Sequence, residues 1–138
     1  MSRLAFLSTL LLAASALAAD PIAVTPPPAL DWATTPEGVA FAPLVGDRFA
    51  ESYMAMVQLP AGLISPAHTK SADMFGIIVS GAMTHVALGD IGSEVVLPEG
   101  SFYHIPAGVP HVSSCVSEVD CVTFLYQDGA FDFVPVAQ

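Results

Sequence analysis

The centre of the chain carries the stretch that decides the fold, Gly62-Leu-Ile-Ser-Pro-Ala-His68-Thr-Lys70-Ser-Ala-Asp73-Met74. A second stretch at residues 100–111 reads Gly-Ser-Phe-Tyr-His-Ile-Pro-Ala-Gly-Val-Pro-His. Both stretches set histidines among short apolar runs that are separated by glycine, proline and aspartate. Such punctuation predicts short β-strands joined by turns. We therefore expect a sheet that curls back on itself and brings the histidines together around a pocket.

Short strand-like runs continue along most of the chain. They lie at residues 39–45, 52–59, 74–80, 83–88, 94–97, 102–105, 109–114, 121–127 and 131–134. Turn residues separate them at spacings typical of all-β proteins, and no run after the first twenty residues has a sustained helical period. We predict an all-β fold, either closed or built from two sheets, because both arrangements protect strand edges. A chain of 138 residues leaves room for one such domain, over residues 39–136.

The first 38 residues differ in composition from the rest. Residues 1–19 combine one basic residue, Arg3, with an apolar run and a small-residue exit at Ala16-Leu17-Ala18, a pattern typical of a signal peptide. A membrane anchor is the alternative, although the apolar run is short for a bilayer. We expect an exported protein, periplasmic or secreted, with no membrane span after signal removal. Residues 20–38 contain five prolines and predict an extended arm.

The charge balance limits the range of partners. Thirteen acidic residues face three basic ones, giving a formal net charge of −10. Nucleic acids and anionic membrane surfaces are therefore poor candidates as partners. Removal of residues 1–19 leaves Arg48 and Lys70 as the remaining cations, and Lys70 lies inside the central stretch.

Two cysteines, Cys115 and Cys121, lie six positions apart. In an exported chain this pair predicts a disulfide, with a turn near Glu118 placing the two residues on adjacent antiparallel strands. Two buried free thiols and a zinc site that also uses histidines are the alternatives.

The two histidine stretches resemble the paired motifs of the cupin superfamily. The first family motif reads G-x5-H-x-H-x(3 or 4)-E-x6-G, and Gly62, His68 and Gly81 match it. The second reads G-x5-P-x-G-x2-H-x3-N, and its matching residues are Gly100, Pro106, Gly108 and His111. The resemblance implies a single-domain cupin jelly-roll β-barrel behind a Pro-rich N-terminal arm. It also extends to a group of exported single-domain cupins of undefined function.

The resemblance implies a metal centre in the pocket. Cupins supply three imidazoles and one carboxylate to a divalent transition metal. The resemblance therefore implies that His68 and His111 hold iron, manganese, nickel, copper or zinc. Lys70 replaces the second motif histidine, and Met74 stands where the glutamate belongs. Asp73 is one position out of register, and a bulge would be needed to turn it inward as the third ligand.

Other side chains are candidates for the pocket wall. The resemblance implies that Tyr103 points inward together with Lys70 and Met74, and His85 is a further inward-facing candidate. His104 follows Tyr103 directly and therefore lies on the opposite face of the same strand, which makes it a weaker ligand candidate.

Two hypotheses about function follow. In the first, the protein binds a divalent metal and a small organic ligand, and performs metal-dependent chemistry such as oxygenation or isomerisation. In the second, the metal is lost and the Lys70 ammonium, paired with Asp73, holds an anionic small molecule. Neither the substrate nor the existence of turnover follows from the sequence. We also expect a homodimer, with the arm crossing to a partner.

Overall fold

The computed structural model describes residues 19–137. All but the last residue of the predicted signal peptide lies outside this range. Within residues 19–137, no helix is long and apolar enough to cross a membrane.

The described chain is almost entirely β-structure, with two short 3-10 helices at Pro27–Ala29 and Ile91–Ser93. The strands are β1 (Ala33–Thr34), β2 (Ala40–Val45), β3 (Tyr53–Leu59), β4 (His68–Thr69), β5 (Met74–Ser80), β6 (Met83–Ala87), β7 (Phe102–Ile105), β8 (His111–Cys115), β9 (Cys121–Gln127) and β10 (Val134–Pro135). The all-β prediction is confirmed. The sequence does not predict β1 or β4, and the predicted strand at 131–134 is observed only from Val134. The predicted strand at 94–97 contributes only an isolated bridge between Leu97 and Met83.

Ten strands form two sheets in the described part of the chain. The larger sheet has the order β1-β2-β3-β9-β5-β7 and the smaller has the order β10-β4-β8-β6. The strands pair antiparallel, and the chain crosses repeatedly between the sheets as in a jelly roll. The sheets are not hydrogen-bonded into one closed barrel, so the architecture is a double-sheet jelly roll.

The core lies between the two sheets, because alternate residues of each strand point inward. Strand β9 shows this alternation, with every second residue from Cys121 to Gln127 buried. On β5 the inward position between Met74 and Ile78 is Gly76, where an added Cβ would lie 2.3 Å from the Tyr103 ring. Glycine at this position therefore lets the Tyr103 ring lie flat against the sheet.

The N-terminal arm ends in the protein's own larger sheet. Ala33 and Thr34 pair with Phe41 and Ala40 at the edge of this sheet. Upstream of this strand the arm is exposed: Ile22 and Val24 are 93% and 81% accessible.

The disulfide between Cys115 and Cys121 is present, and it joins the two sheets. Cys115 ends β8 in the smaller sheet, whereas Cys121 begins β9 in the larger one. The prediction that the two cysteines lie on adjacent paired strands is therefore wrong. The loop between them crosses from one sheet to the other, and both sulfur-bearing residues are buried in the core.

Reduction of this disulfide should lower the free energy of unfolding by about 2 kcal/mol, because the seven-residue loop gains freedom mainly in the unfolded chain. Urea unfolding with and without dithiothreitol measures the difference. The double variant Cys115→Ala/Cys121→Ala should not respond to the reductant. Equal midpoints for oxidised and reduced wild type would contradict the expectation.

Candidate functional site

His68 and His111 lie side by side on the inner face of the smaller sheet. They are paired residues of the neighbouring strands β4 and β8. Their ring centroids are 4.3 Å apart, and the residues are only 4% and 1% exposed. Strand pairing therefore brings together the two histidines that the motifs contribute from positions 43 residues apart in the sequence.

Both rings are oriented by backbone carbonyls two residues upstream. The Nδ1 atom of His68 lies 2.9 Å from the Pro66 oxygen, and that of His111 lies 2.9 Å from the Val109 oxygen. A carbonyl only accepts hydrogen bonds, so each Nδ1 must carry the proton. In the neutral rings each Nε2 therefore has a free lone pair, and the buried Nε2 of His111 has no hydrogen-bond partner among the described residues.

A third imidazole, that of His85, lies on the same inner face. His85 pairs in register with Ser113 on β8, two residues beyond His111. Its Nδ1 lies 2.8 Å from the Ser113 hydroxyl, and its ring centroid is 4.3 Å from that of Tyr103. The Nε2 of His85 is also buried and has no partner among the described residues. The smaller sheet thus presents two unpartnered imidazole nitrogens to the interior.

The chemistry of these donors fits a divalent transition metal, but the full set expected for a cupin is not assembled. Within residues 19–137, no three His, Cys, Asp or Glu side chains are arranged to hold one ion. Among the described residues, His68 and His111 are therefore the imidazole pair that the strands bring together, and no Asp or Glu side chain joins them.

Lys70 is buried beside this pair and is bound by the C-terminal segment. Its Nζ donates a hydrogen bond to the backbone oxygen of Asp132 and lies 4.0 Å from the ring centroid of Phe131. The expected pairing of Lys70 with Asp73 is wrong, because Asp73 binds other groups. Burial lowers the pKa of Lys70 to about 8, and the charge of Asp132 opposes this shift.

The C-terminal segment covers the histidine pair. Strand β10 pairs with β4, setting Pro135 opposite His68. The Phe133 ring stacks on the His68 ring, with centroids 4.0 Å apart and planes inclined by 15°. Residues 131–135 therefore close this side of the site and keep water from the His68 ring.

Asp73 lies in a different cluster from the histidine pair. Its carboxylate accepts hydrogen bonds from the Ala107 backbone N–H at 2.8 Å and from His104 Nε2 at 3.1 Å. The side chains of His104 and Asp73 are 39% and 40% exposed. The bulge that would turn Asp73 inward is absent, since the β5–β7 register begins regularly at Met74. The structure thus gives Asp73 and His104 no place beside His68 and His111.

Met74 and Tyr103 are both buried in the core, as expected for inward positions. The Tyr103 hydroxyl bonds the Thr123 hydroxyl at 3.0 Å, and its ring contacts His85. Tyr103 therefore packs against the His85 ring and helps to hold its position. The turn before His111 is tied to the first stretch by a hydrogen bond from the Gly108 N–H to the Lys70 carbonyl.

Burial keeps the inward histidines neutral. It lowers the pKa of His68 to about 4. The hydrogen bond to the Pro66 carbonyl raises this pKa, and the charge of His111 lowers it further. Burial lowers the pKa of His85 to about 4, assisted by the charges of His111 and His68, and it lowers the pKa of His111 as well. Neutral imidazole is the form that binds metals.

The sequence matches the family model described as "Cupin domain" over residues 55–126. The protein belongs to the cupin family. The matched region includes the whole histidine pair, His85 and Lys70, and it confirms the family predicted from the two motifs. Comparison of the sequence with curated proteins finds no significant match.

Solved structures with the same fold include other cupins. KdgF from Halomonas sp. has 17% identity and a TM-score of 0.62, and the match covers 78% of this chain and 94% of that one. An RmlC-like cupin from Ralstonia eutropha JMP134 has 18% identity and a TM-score of 0.64, with 79% and 69% covered. Oxalate oxidase has 21% identity and a TM-score of 0.58, with 74% of this chain and 57% of that chain covered. At these identities the likeness shows the fold alone.

Sequence reasoning missed the residues that close and orient the site. Phe133 and Asp132 lie in the predicted strand at 131–134, and nothing in their local pattern indicates contact with residues 68–70. Ser113, the partner of His85, was likewise not singled out. Residues two positions apart on one strand point to the same face. The spacing of Ser113 from His111 is therefore the one sequence signal that places Ser113 on the inner face.

The metal-free protein should lose stability as the pH falls from about 6.5 to about 4. The unfolded chain takes up protons near the ordinary histidine pKa, whereas buried His68 and His85 do not until about pH 4. The loss should be on the order of 2 kcal/mol for each of these histidines at pH 4.5. Urea unfolding in chelator at pH 7.5 and pH 4.5 measures it.

The variant His68→Gln should show a smaller loss between the two pH values, while the exposed control His104→Gln should behave as wild type. A loss that is identical in wild type and His68→Gln would contradict this assignment.

Proposed function

We propose that this cupin binds a divalent transition metal at the His68–His111 pair and a small organic ligand beside it. The observation that carries the proposal is the orientation of the two rings. Each has its Nδ1 proton committed to a backbone carbonyl and its Nε2 lone pair free on the inner face. Metal-binding histidines in proteins are fixed in this way, because the outer hydrogen bond sets the tautomer and the ring orientation.

The donor set favours some of the expected metals over others. Imidazole suits zinc, copper, iron and nickel, whereas manganese prefers oxygen ligands. With Met74 in the position of the family glutamate and Asp73 turned away, the proposed centre has only nitrogen donors from the protein. We therefore propose zinc, copper, nickel or iron, and rank manganese last.

Each neighbouring group has a role in the proposed site. A bound divalent metal supplies Lewis acidity and open coordination positions for a small ligand. His68 and His111 would hold it, while the buried His85 Nε2 is a further unpartnered imidazole nitrogen on the same face. The Phe133 ring excludes water, and the Lys70 ammonium offers a positive charge to an anionic ligand.

Export is part of the proposal. The disulfide Cys115–Cys121 is typical of an oxidising compartment. Together with the signal-peptide pattern at residues 1–19, it supports a periplasmic or secreted location.

The protein should bind about one zinc or nickel ion per chain. Removal of either imidazole should weaken binding by more than the roughly 10–100-fold that the loss of an outer hydrogen-bond partner of a metal ligand costs. Isothermal titration with zinc or nickel measures this. The proteins compared are the untagged, chelator-stripped wild type, His68→Phe, His111→Ala and the control His104→Ala. His68→Phe keeps a ring against Phe133, so its thermal midpoint should stay close to that of wild type. Unchanged affinity in both site variants would contradict the metal centre.

A metal-free binding protein for small anions is the second candidate function. It is favoured by the absence of a three-residue metal cluster in the described chain and by the buried Lys70 ammonium. In this alternative the unpartnered histidine nitrogens accept hydrogen bonds from ligand hydroxyl groups, and Lys70 binds a carboxylate.

The variant Lys70→Met separates the two candidates, because the Lys70 charge repels a metal but attracts an anion. For a metal centre, zinc affinity should rise several-fold in Lys70→Met. For an anion site, wild type should bind glycolate without metal, and Lys70→Met should lose that binding. Titration of both proteins with zinc and with glycolate measures the two effects, and zinc affinity that falls in Lys70→Met would contradict the proposed position of the ammonium.

A further inference from the structure

The two basic side chains of residues 19–137, Arg48 and Lys70, converge on one aromatic ring. The Lys70 Nζ lies 4.0 Å and the Arg48 Cζ lies 5.2 Å from the ring centroid of Phe131. Lys70 donates a hydrogen bond to the backbone oxygen of Asp132, whereas no Asp or Glu in the described chain forms an ion pair with Arg48. In a protein with a net charge of −10, Arg48 therefore stands out as a cation without a carboxylate partner.

Aromatic rings hold the Arg48 guanidinium in position. Its Cζ lies 4.2 Å from the Phe41 ring centroid and 4.3 Å from that of Phe49. The backbone oxygen of Arg48 also accepts a hydrogen bond from the Phe131 N–H. A guanidinium that lies over aromatic rings keeps its N–H donors in its own plane, where their fork matches a carboxylate. The rings therefore orient the charge without neutralising it.

The loop that carries Arg48, between β2 and β3, is ordered by its own hydrogen bonds. The Asp47 carboxylate accepts a hydrogen bond from the Phe49 N–H at 2.9 Å. The Asp47 backbone oxygen accepts hydrogen bonds from the N–H groups of Ala50 and Glu51, each at 3.0 Å. The Asp47 carboxylate is therefore used within the loop. A loop that is already ordered loses little freedom when a ligand binds.

Arg48 lines a cavity of about 360 Å³, which we call the Arg48 cavity. Most of its other lining residues are apolar or aromatic, and they include Phe41, Phe49, Tyr53 and Met54. Phe49 and Met54 are 69% and 37% exposed, so the cavity is reachable from solvent. Sites for small molecules have this size, and they combine apolar walls with a few polar groups that fix the ligand.

We propose that the Arg48 cavity binds a small aromatic carboxylate, at a site separate from the His68–His111 pair. The guanidinium forms two parallel hydrogen bonds with the ligand carboxylate. The ligand ring packs against the exposed Phe49 ring, because aromatic rings pair favourably when offset or edge to face. The nearby Lys70 charge offsets the repulsion between an anion and the acidic chain. Binding at this site does not depend on a metal.

Titration of the metal-free protein with 4-fluorobenzoate, followed by ¹⁹F NMR, tests the proposal. Wild type should bind with a Kd of ~0.1–1 mM. Arg48→Met should bind at least about tenfold more weakly, and Arg48→Lys should lie between the two, because it keeps the charge but loses the paired N–H geometry. Asp47→Asn keeps the acceptor for the Phe49 N–H and removes a negative charge from the cavity lining, so it should tighten binding. The neutral 4-fluorobenzamide should bind as weakly to wild type as 4-fluorobenzoate binds to Arg48→Met.

Two further measurements locate the ligand. Lys70→Met removes the other cation as a charge-matched control, and it should weaken binding less than about threefold, because solvent screens its charge. In wild type the Nε–Hε resonance of Arg48, identified by its absence from Arg48→Lys, should shift as 4-fluorobenzoate is added. A loss in Lys70→Met equal to that in Arg48→Met would place the ligand beside the histidine pair and overturn the proposal. An unmoved Arg48 resonance, equal affinity for 4-fluorobenzamide, or no binding at about 10 mM would also overturn it.

Discussion

The candidate site depends on one repeated interaction, the hydrogen bond from a histidine Nδ1 to a backbone carbonyl two residues earlier. It occurs at His68 with Pro66 and at His111 with Val109, with the same 2.9 Å separation. Each bond fixes the tautomer and leaves Nε2 free toward the interior. Burial then keeps both rings neutral by lowering their pKa. The register of β4 with β8 sets His68 opposite His111, so that the two imidazoles lie side by side.

The remaining structure supports this pair from three directions. The C-terminal segment covers it, since Phe133 stacks on His68 while β10 pairs with β4. Strand β6 brings His85 to the same face of the smaller sheet. The disulfide from Cys115, the last residue of β8, to Cys121 fixes that strand against the larger sheet. The site therefore sits where both sheets and the chain terminus meet.

The sequence predicted the parts of this arrangement that local spacing controls. Alternating apolar residues and glycine turns located most strands, and the motif spacings predicted that His68 and His111 would meet. Contacts between distant segments were not predictable, because local pattern does not encode them. The sequence predicts Asp73 beside the histidines, yet its carboxylate binds the Ala107 N–H and His104 at strand β7 of the larger sheet. Likewise, the Lys70 ammonium donates a hydrogen bond to the backbone oxygen of Asp132, 62 residues downstream.

The tautomer of the two imidazoles is the most direct test of the account. Long-range ¹⁵N–¹H NMR correlation on the metal-free protein at pH 7 reports which ring nitrogen carries the proton. We expect His68 and His111 to be neutral with the proton on Nδ1, and addition of one equivalent of zinc to shift the Nε2 resonances of both. Protonated Nε2 atoms, or charged rings at pH 7, would contradict the proposed donor pair.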